Sequence, residues 1–311
     1  MSPIPKGSTV LVTGANGYLA SHIVDQLLAN GYKAKGTVRA EEKGKWLVDY
    51  FSKQYGPDKL ELATVPDMSK PAAFDDAMVG CSGVVHVASD LSFSRNAQDV
   101  IPGVEAAIKN ILHSATKHKE IKRFVLTSSS AAAVFPVPEK KITVSKDSWN
   151  DFSVNKAWGE DGKDDPALGY HVYCASKVAA EKALWEFVKQ QKPSFEANAV
   201  LPNYIMGKVL GRPWGQSGST GGGVVNLYAG DEEGLKSAMG LFKMTPPRKF
   251  CSLHHRGSEQ LSNASQNGWS MQVTPLVCML LLSSTRRLSM SASLALPRRT
   301  ISMRFWTSCR S

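Results

Sequence analysis

Apolar positions along this chain recur in two alternating rhythms. Short continuous runs, bounded by glycines or polar turns, occupy residues 9–12, 33–38, 60–65, 83–87, 123–127 and 197–201. Their length and β-branched content predict strands of a parallel sheet buried on both faces. Between them, residues 21–28, 42–54, 71–78, 100–117 and 170–188 carry apolar residues at helical spacing. Val104, Ala107, Ile108, Ile111 and Leu112 share one helix face, and Trp46, Leu47, Tyr50 and Phe51 turn inward from another. Gly31 stands where a helix C-cap is needed. Residues 137–166, rich in Lys, Asp and Trp, read as a polar loop. The strand–helix alternation predicts an α/β fold, a doubly wound parallel sheet with right-handed crossovers.

The first strand and helix are joined by Thr13-Gly14-Ala15-Asn16-Gly17-Tyr18-Leu19-Ala20. Strand, glycine turn and helix in that order form a dinucleotide-binding fingerprint. Glycines let the backbone approach a pyrophosphate, and the helix N-terminus presents unbonded N–H groups and a positive dipole end to it. The second strand ends at Arg39, with Lys43 and Lys45 nearby. An acid there would hold the ribose 2′-hydroxyl of NAD, whereas an arginine meets the 2′-phosphate of NADP, so NADP(H) is favoured. After the third strand, Asp67 and Met68 come within reach of an adenine.

Tyr173 and Lys177 are four residues apart and share one helix face. An ammonium beside a phenol favours the phenolate, so a lowered Tyr173 pKa is expected, giving a usable proton donor to a carbonyl oxygen. Lys177 is also placed to hold the nicotinamide ribose. The fifth strand ends in Ser128-Ser129-Ser130, and a hydroxyl there can orient the same substrate oxygen; Ser129 is the favoured one. His86 reads as a strand-core residue and Asn110 as a buried brace on its helix.

Composition narrows the classes. With 42% hydrophobic and 21% charged residues the chain is of globular type. The first eight residues hold one charge and no apolar run, so no secretory signal is expected. The longest apolar run, 276–282, falls far short of the ~20 residues of a membrane helix. Five cysteines, none at metal-ligand spacing, fit a reducing cytoplasm. The net charge of +10 is concentrated after Thr245, where nine Lys/Arg face the single acid Glu259. The remainder is near neutral, which argues against a nucleic-acid partner.

The stretches TGANGYLA (13–20), TVRA (37–40), VVHVAS (84–89), VLTSS (125–129), YCASK (173–177) and VLPNYIMG (200–207) resemble the extended short-chain dehydrogenase/reductase family. The similarity is greatest to its dihydroflavonol-reductase-like branch of fungal aldehyde and ketone reductases, and covers roughly residues 10–241. The resemblance implies an NADPH-dependent reductase of small carbonyl compounds. In it Gly14, Asn16, Gly17, Tyr18 and Leu19 would line the pyrophosphate, Arg39 the 2′-phosphate, and Asp67 and Met68 the adenine. Ala88, Thr127, Pro202 and Asn203 would surround the nicotinamide half, with Ser129, Tyr173 and Lys177 catalytic. Phe93, Ser128, Tyr204 and Met206 are expected near the substrate. The alternatives are a nucleotide-sugar epimerase or dehydratase of the same fold, and an NADP-binding module without turnover.

Beyond residue 241 the resemblance stops. Residues 245–311 hold 13 serines and paired arginines (Arg286-Arg287, Arg298-Arg299) with no amphipathic period. The expected division is an NADP-binding domain over 1–241 and an aberrant, poorly ordered tail over 242–311, leaving the substrate lobe incomplete and impairing catalysis more than cofactor binding. Translation in a shifted frame from near Thr245 would produce such a tail. Codons can be chosen for residues 273–289 so that a shifted frame reads like the family's missing strand and helix. The oligomeric state is left open by the sequence.

Overall fold

The computed structural model describes residues 4–135, 142–203, 205, 207–211 and 220, together with the backbone of 289–296 and 299–306. Six parallel strands, β1 (Thr9–Val12), β2 (Lys33–Val38), β3 (Leu60–Thr64), β4 (Cys81–His86), β5 (Arg123–Thr127) and β6 (Glu196–Val200), form one sheet in the order β3-β2-β1-β4-β5-β6. The strand order reverses between β1 and β4, and a ligand crevice opens beyond the strand C-termini at such a reversal.

Alternate residues of each strand feed two cores. Val10, Val12, Val85 and Val125 join Ile23, Leu27, Leu47 and Phe51 from α1 (Tyr18–Ala29) and α2 (Lys45–Tyr55). On the opposite face, Leu11, Val84, Phe124 and Leu126 meet Met78 of α3 (Asp75–Met78). Ile108 and Ile111 of α4 (Ala97–Lys117) and Leu184 of α6 (Leu168–Gln191) complete that core. This period-two division is what a sheet covered on both faces requires, so the doubly wound reading holds.

Several boundaries differ from the periodic pattern, each for a local reason. The helix expected from residue 42 is divided into a 3₁₀ turn, Glu41–Lys43, and α2. Gly44 lies between them, where a Cβ would stand 2.7 Å from Leu62. The helix expected from residue 71 shortens to α3, because Ala72 takes a left-handed φ of +59°. α4 starts before its apolar stripe, where the Asn96 side chain accepts the Gln98 N–H at 3.1 Å. The stretch read as a polar loop contains α5 (Asp151–Trp158). Buried Asn150 caps it by accepting the Ser153 N–H at 3.1 Å, and donates to the Ala131 carbonyl at 2.8 Å.

The backbone of β7 (Ser289–Leu296) and β8 (Arg299–Trp306) pairs antiparallel as a separate two-stranded sheet. The rest of the tail, the 241/242 boundary, Tyr204 and Met206 lie outside the described residues. Among the described residues no helix is long and apolar enough to cross a membrane.

Candidate active site

Among the described residues, those expected to hold the cofactor and to act in catalysis lie along the C-terminal edge of the sheet. Gly14, Asn16 and Gly17 form the turn between β1 and α1, with Tyr18 and Leu19 opening the helix. Gly14 takes a left-handed φ of +62°, and a Cβ there would stand 3.2 Å from the Ala88 Cβ. Glycine is therefore required at this position for both conformation and space. The Gly17 N–H donates to the Gly14 carbonyl at 2.8 Å and closes the turn. β2 stitches the turn down: the Thr37 hydroxyl accepts the Gly14 N–H at 3.2 Å, and its carbonyl accepts the Ala15 N–H at 3.0 Å. α1 has no side-chain cap and no acid in its first turn, which leaves its N-terminal N–H groups for an anion. The Tyr18 hydroxyl donates to the Gly207 carbonyl at 2.7 Å, tying the turn to the segment after β6.

Thr13, one residue before the turn, locks β1 to β4. Its hydroxyl accepts the Val87 and Ala88 N–H groups at 2.9 and 3.0 Å, so its own proton goes to His86 Nδ1 at 2.9 Å. His86 is therefore neutral with its proton on Nε2. Burial first, then the Lys177 charge, push its pKa down to about 3. The core reading of His86 stands, and the tie positions Ala88.

Arg39 is exposed at the end of β2, and the first acid after it is Glu41. Asp67 and Met68 follow β3. The Asp67 carboxylate accepts the Ser69 N–H and hydroxyl at 2.9 and 2.6 Å, and these bonds hold its pKa below the usual carboxylate range. Asn110 braces this loop by donating to the Met68 and Lys70 carbonyls at 3.2 and 2.9 Å, although it is half-buried rather than buried. Pro202 and Asn203 follow β6, and the Pro202 carbonyl accepts the Ser130 N–H at 2.9 Å.

At the end of β5, successive side chains point in different directions. Ser128 does not face the substrate side. Its hydroxyl donates to buried Glu181 at 2.7 Å, which corrects its expected place near the substrate. Ser129 lies beside Tyr173, and its influence on the phenol favours the phenolate. The Thr127 Oγ1 is buried without a hydrogen-bond partner, while the Thr127 carbonyl accepts the Lys177 ammonium at 3.4 Å.

The Lys177 Nζ lies 5.8 Å from the Tyr173 ring centroid, one helical turn away as the spacing predicts. The expected lowering of the Tyr173 pKa is not found. Burial raises it, and Ser129 offsets only part of that. The ammonium sits over the ring and is itself weakened by burial, its pKa lowered to about 8. The Phe93 ring stands 5.3 Å from that of Tyr173, and the Phe93 backbone takes a left-handed φ of +51°. Gly169 in the first turn of α6 makes room for it: a Cβ there would lie 2.3 Å from the Phe93 carbonyl oxygen. The sequence reading passed over Thr13, Thr37, Gly169 and Glu181. The signals were a hydroxyl residue at the end of a fingerprint strand and an acid one turn beyond Lys177.

Ser153, His171 and Asp165 also approach one another beneath α6, at 3.0 Å (Ser153 Oγ to His171 Nδ1) and 3.5 Å (His171 Nε2 to Asp165 Oδ2). Ser153 and His171 are wholly buried, so no substrate carbonyl reaches that hydroxyl, and the grouping ties α5 to α6. Among the described residues no cluster of His, Cys, Asp or Glu suits a metal ion.

The cradle fits a dinucleotide on its own evidence: a turn with glycine at 14 and 17 under an uncapped helix, and an orphaned threonine hydroxyl beside Lys177. Comparison with known proteins agrees. A sequence family described as NAD(P)H-binding matches residues 14–161. Aldehyde reductase 2 of Sporidiobolus salmonicolor is 42% identical over 250 residues, 80% of this chain and 70% of that protein. The NADPH-dependent methylglyoxal reductase of Saccharomyces cerevisiae is 38% identical over 212 residues, 64% of this chain and 58% of that protein. The crystal structure of yeast methylglyoxal/isovaleraldehyde reductase complexed with NADPH superposes with a TM-score of 0.57 at 36% identity. That superposition covers 65% of this chain and 59% of the other. The chain thus spans 58% to 70% of the length of these relatives. It belongs to the NAD(P)H-binding short-chain dehydrogenase/reductase family of oxidoreductases, in the group that holds the fungal aldehyde and ketone reductases.

Proposed function

We propose that this chain reduces a small aldehyde or ketone to the alcohol with NADPH, with Tyr173 as proton donor. The observation that carries the reading is the nearness of Tyr173, Ser129 and Lys177 at the C-terminal end of β5, beside the unpartnered Thr127 hydroxyl. The cofactor supplies a hydride to the carbonyl carbon. The chain's residues do the rest. Gly14, Asn16, Gly17, Tyr18 and Leu19 hold the pyrophosphate, and Arg39 the 2′-phosphate. Asp67 and Met68 flank the adenine, and Ala88, Thr127, Pro202 and Asn203 border the nicotinamide half. Ser129 donates a hydrogen bond to the carbonyl oxygen and polarises it. Tyr173 then transfers its phenolic proton to that oxygen, and Ser129 and Lys177 support the phenolate left behind. The raised pKa suits this direction. The phenol keeps its proton at neutral pH, and the oxygen it protonates becomes far more basic than a phenolate as the hydride arrives.

The test is NADPH consumption with a panel of aldehydes and ketones. Turnover is expected in the full chain, and Tyr173→Phe should lower it by at least ~100-fold while NADPH still binds. Saturable NADPH binding with no turnover on any carbonyl would sink the reading in favour of a binding module. A second reading, a nucleotide-sugar epimerase or dehydratase, draws on the relative in Aspergillus terreus named NAD-dependent epimerase/dehydratase, 36% identical over 228 residues. Turnover of a sugar nucleotide without net cofactor consumption would favour it.

The same reading treats residues from near Thr245 onward as the product of a shifted frame. Its support is the abrupt change to serine and arginine there. A transcript in which no shifted frame encodes the family's continuation would dismiss it. A reducing compartment is proposed on the five cysteines of the sequence, none of them at CxxC or metal-ligand spacing.

A further inference from the structure

A lysine ammonium is costly to bury unless something nearby balances it. Lys177 is 6% exposed. The groups that face it are few. From β5 comes the Thr127 carbonyl, at a long 3.4 Å. From β4 comes His86, which burial keeps neutral and whose tautomer the Thr13 hydroxyl sets. From α6 itself come the uncharged Tyr173 phenol and, one turn in the other direction, Glu181. Glu181 is 0% exposed. Its two oxygens are already engaged: Oε2 accepts from Ser128 Oγ at 2.7 Å and Oε1 from Trp185 Nε1 at 3.2 Å. Both donors are neutral, so they orient the carboxylate without cancelling its charge.

We infer that Glu181 is a positioning residue: fixed by Ser128 and Trp185, its carboxylate is the buried counter-ion that keeps the Lys177 ammonium charged without hydrogen-bonding to it. The arrangement separates two demands. Charge balance comes through the low-dielectric interior, where a unit charge one helical turn away acts strongly. The ammonium's hydrogens not given to the Thr127 carbonyl stay available for the cofactor ribose and the phenol. A direct ion pair would meet the first demand and defeat the second. The effect of Glu181 on Lys177 has the matching sign, raising the ammonium's pKa against the larger lowering by burial. Ser128 thereby acquires a reason to differ from Ser129. The tripeptide 127–129 presents a carbonyl to Lys177, a tether to Glu181 and a hydroxyl to Tyr173.

The inference rests on the assignment of Tyr173 and Lys177 made above, and its test does not need turnover. NADPH affinity is measured in the full chain from pH 6 to pH 10, beside the pH profile of kcat/KM. Glu181→Gln should move the alkaline limb of binding down by about one pH unit. That shift means roughly a fivefold loss of affinity at pH 8 and little change at pH 6. Ser128→Ala should act in the opposite sense, because the released carboxylate can swing onto the ammonium. The limb should rise by about half a unit while turnover falls. A purely structural role for the pair predicts uniform losses with the limb in place, and that result would overturn the inference. If Glu181→Gln does not fold, Ser128→Ala decides alone: an unmoved or lowered limb refutes it. If neither the parent chain nor the variants reduce any carbonyl but the limb moves as stated, the reductase reading fails and this one stands.

Discussion

Replacing Gly169 with alanine tests how Phe93 is held against Tyr173. The added methyl would lie 2.3 Å from the Phe93 carbonyl oxygen and 3.3 Å from its carbon, whereas ordinary contact begins at 3.4 Å. Roughly 1 Å of overlap falls on backbone at both sides and cannot be relieved by a rotamer change; overpacking of this kind costs about 1–3 kcal/mol. Alanine recovers at most about 1 kcal/mol of helix propensity. The net expectation is a loss of about 1–2 kcal/mol, or a fall in Tm of about 2–8 °C for a body of this size. The relief has a direction. Phe93 is already in a left-handed conformation, so its loop moves away from α6 and takes the ring from Tyr173. kcat/KM for a carbonyl substrate should fall on the order of 10–100-fold, while NADPH affinity, set mainly by the β1–α1 turn, should change little. The control is the same substitution at Gly103, exposed within α4 with nothing within 4 Å of the added carbon. There alanine should stabilise by about 0.5–1 kcal/mol. Melting curves and initial rates on both variants check the pair. A Gly169→Ala protein as stable and active as the parent would refute the close-approach argument.

Thr13→Val should cost about 2–4 kcal/mol in denaturant unfolding, because the Val87 and Ala88 N–H groups lose their acceptor. Thr13→Ser should recover most of it. His86 makes the protein acid-sensitive. Its folded pKa of about 3 lies below its ordinary 6.5, so the unfolded state binds more protons between those values. Stability is fully present above pH 6.5 and falls toward pH 3 by up to about 1.4 kcal/mol per pH unit. His86→Gln should flatten that slope in melts run from pH 7 to pH 4. Arg39→Ala should weaken NADPH binding by roughly 10–100-fold while leaving NADH binding nearly unchanged, as expected for one lost charge-assisted contact to a phosphate. Equal losses for both cofactors would remove Arg39 from the 2′-phosphate.

The strands, most of the helices and the places where chemistry gathers were legible in the sequence because they are local properties. An apolar run of β-branched residues is extended wherever it is buried. Glycines at 14 and 17 turn the chain whatever lies around them. Tyr173 and Lys177 share a helix face by spacing alone. Elements under weaker local signals were less readable. α5 hides in a polar stretch because its stability comes from the Asn150 cap and from contacts to α6.

Only the tertiary structure decided what the residues at the site do to one another. Adjacent serines 128 and 129 are both expected on the substrate side from the text, and become a carboxylate tether and a neighbour of the phenol once β5 lies beside α6. The direction of the Tyr173 pKa was misjudged from spacing, since burial belongs to the assembled protein and outweighs an ammonium placed over the ring. The His86 tautomer is set by a hydroxyl 73 residues away, and Gly169 matters through the carbonyl of Phe93 on another loop. Charge, desolvation and close approach depend on distances between segments, which residue order does not encode position by position.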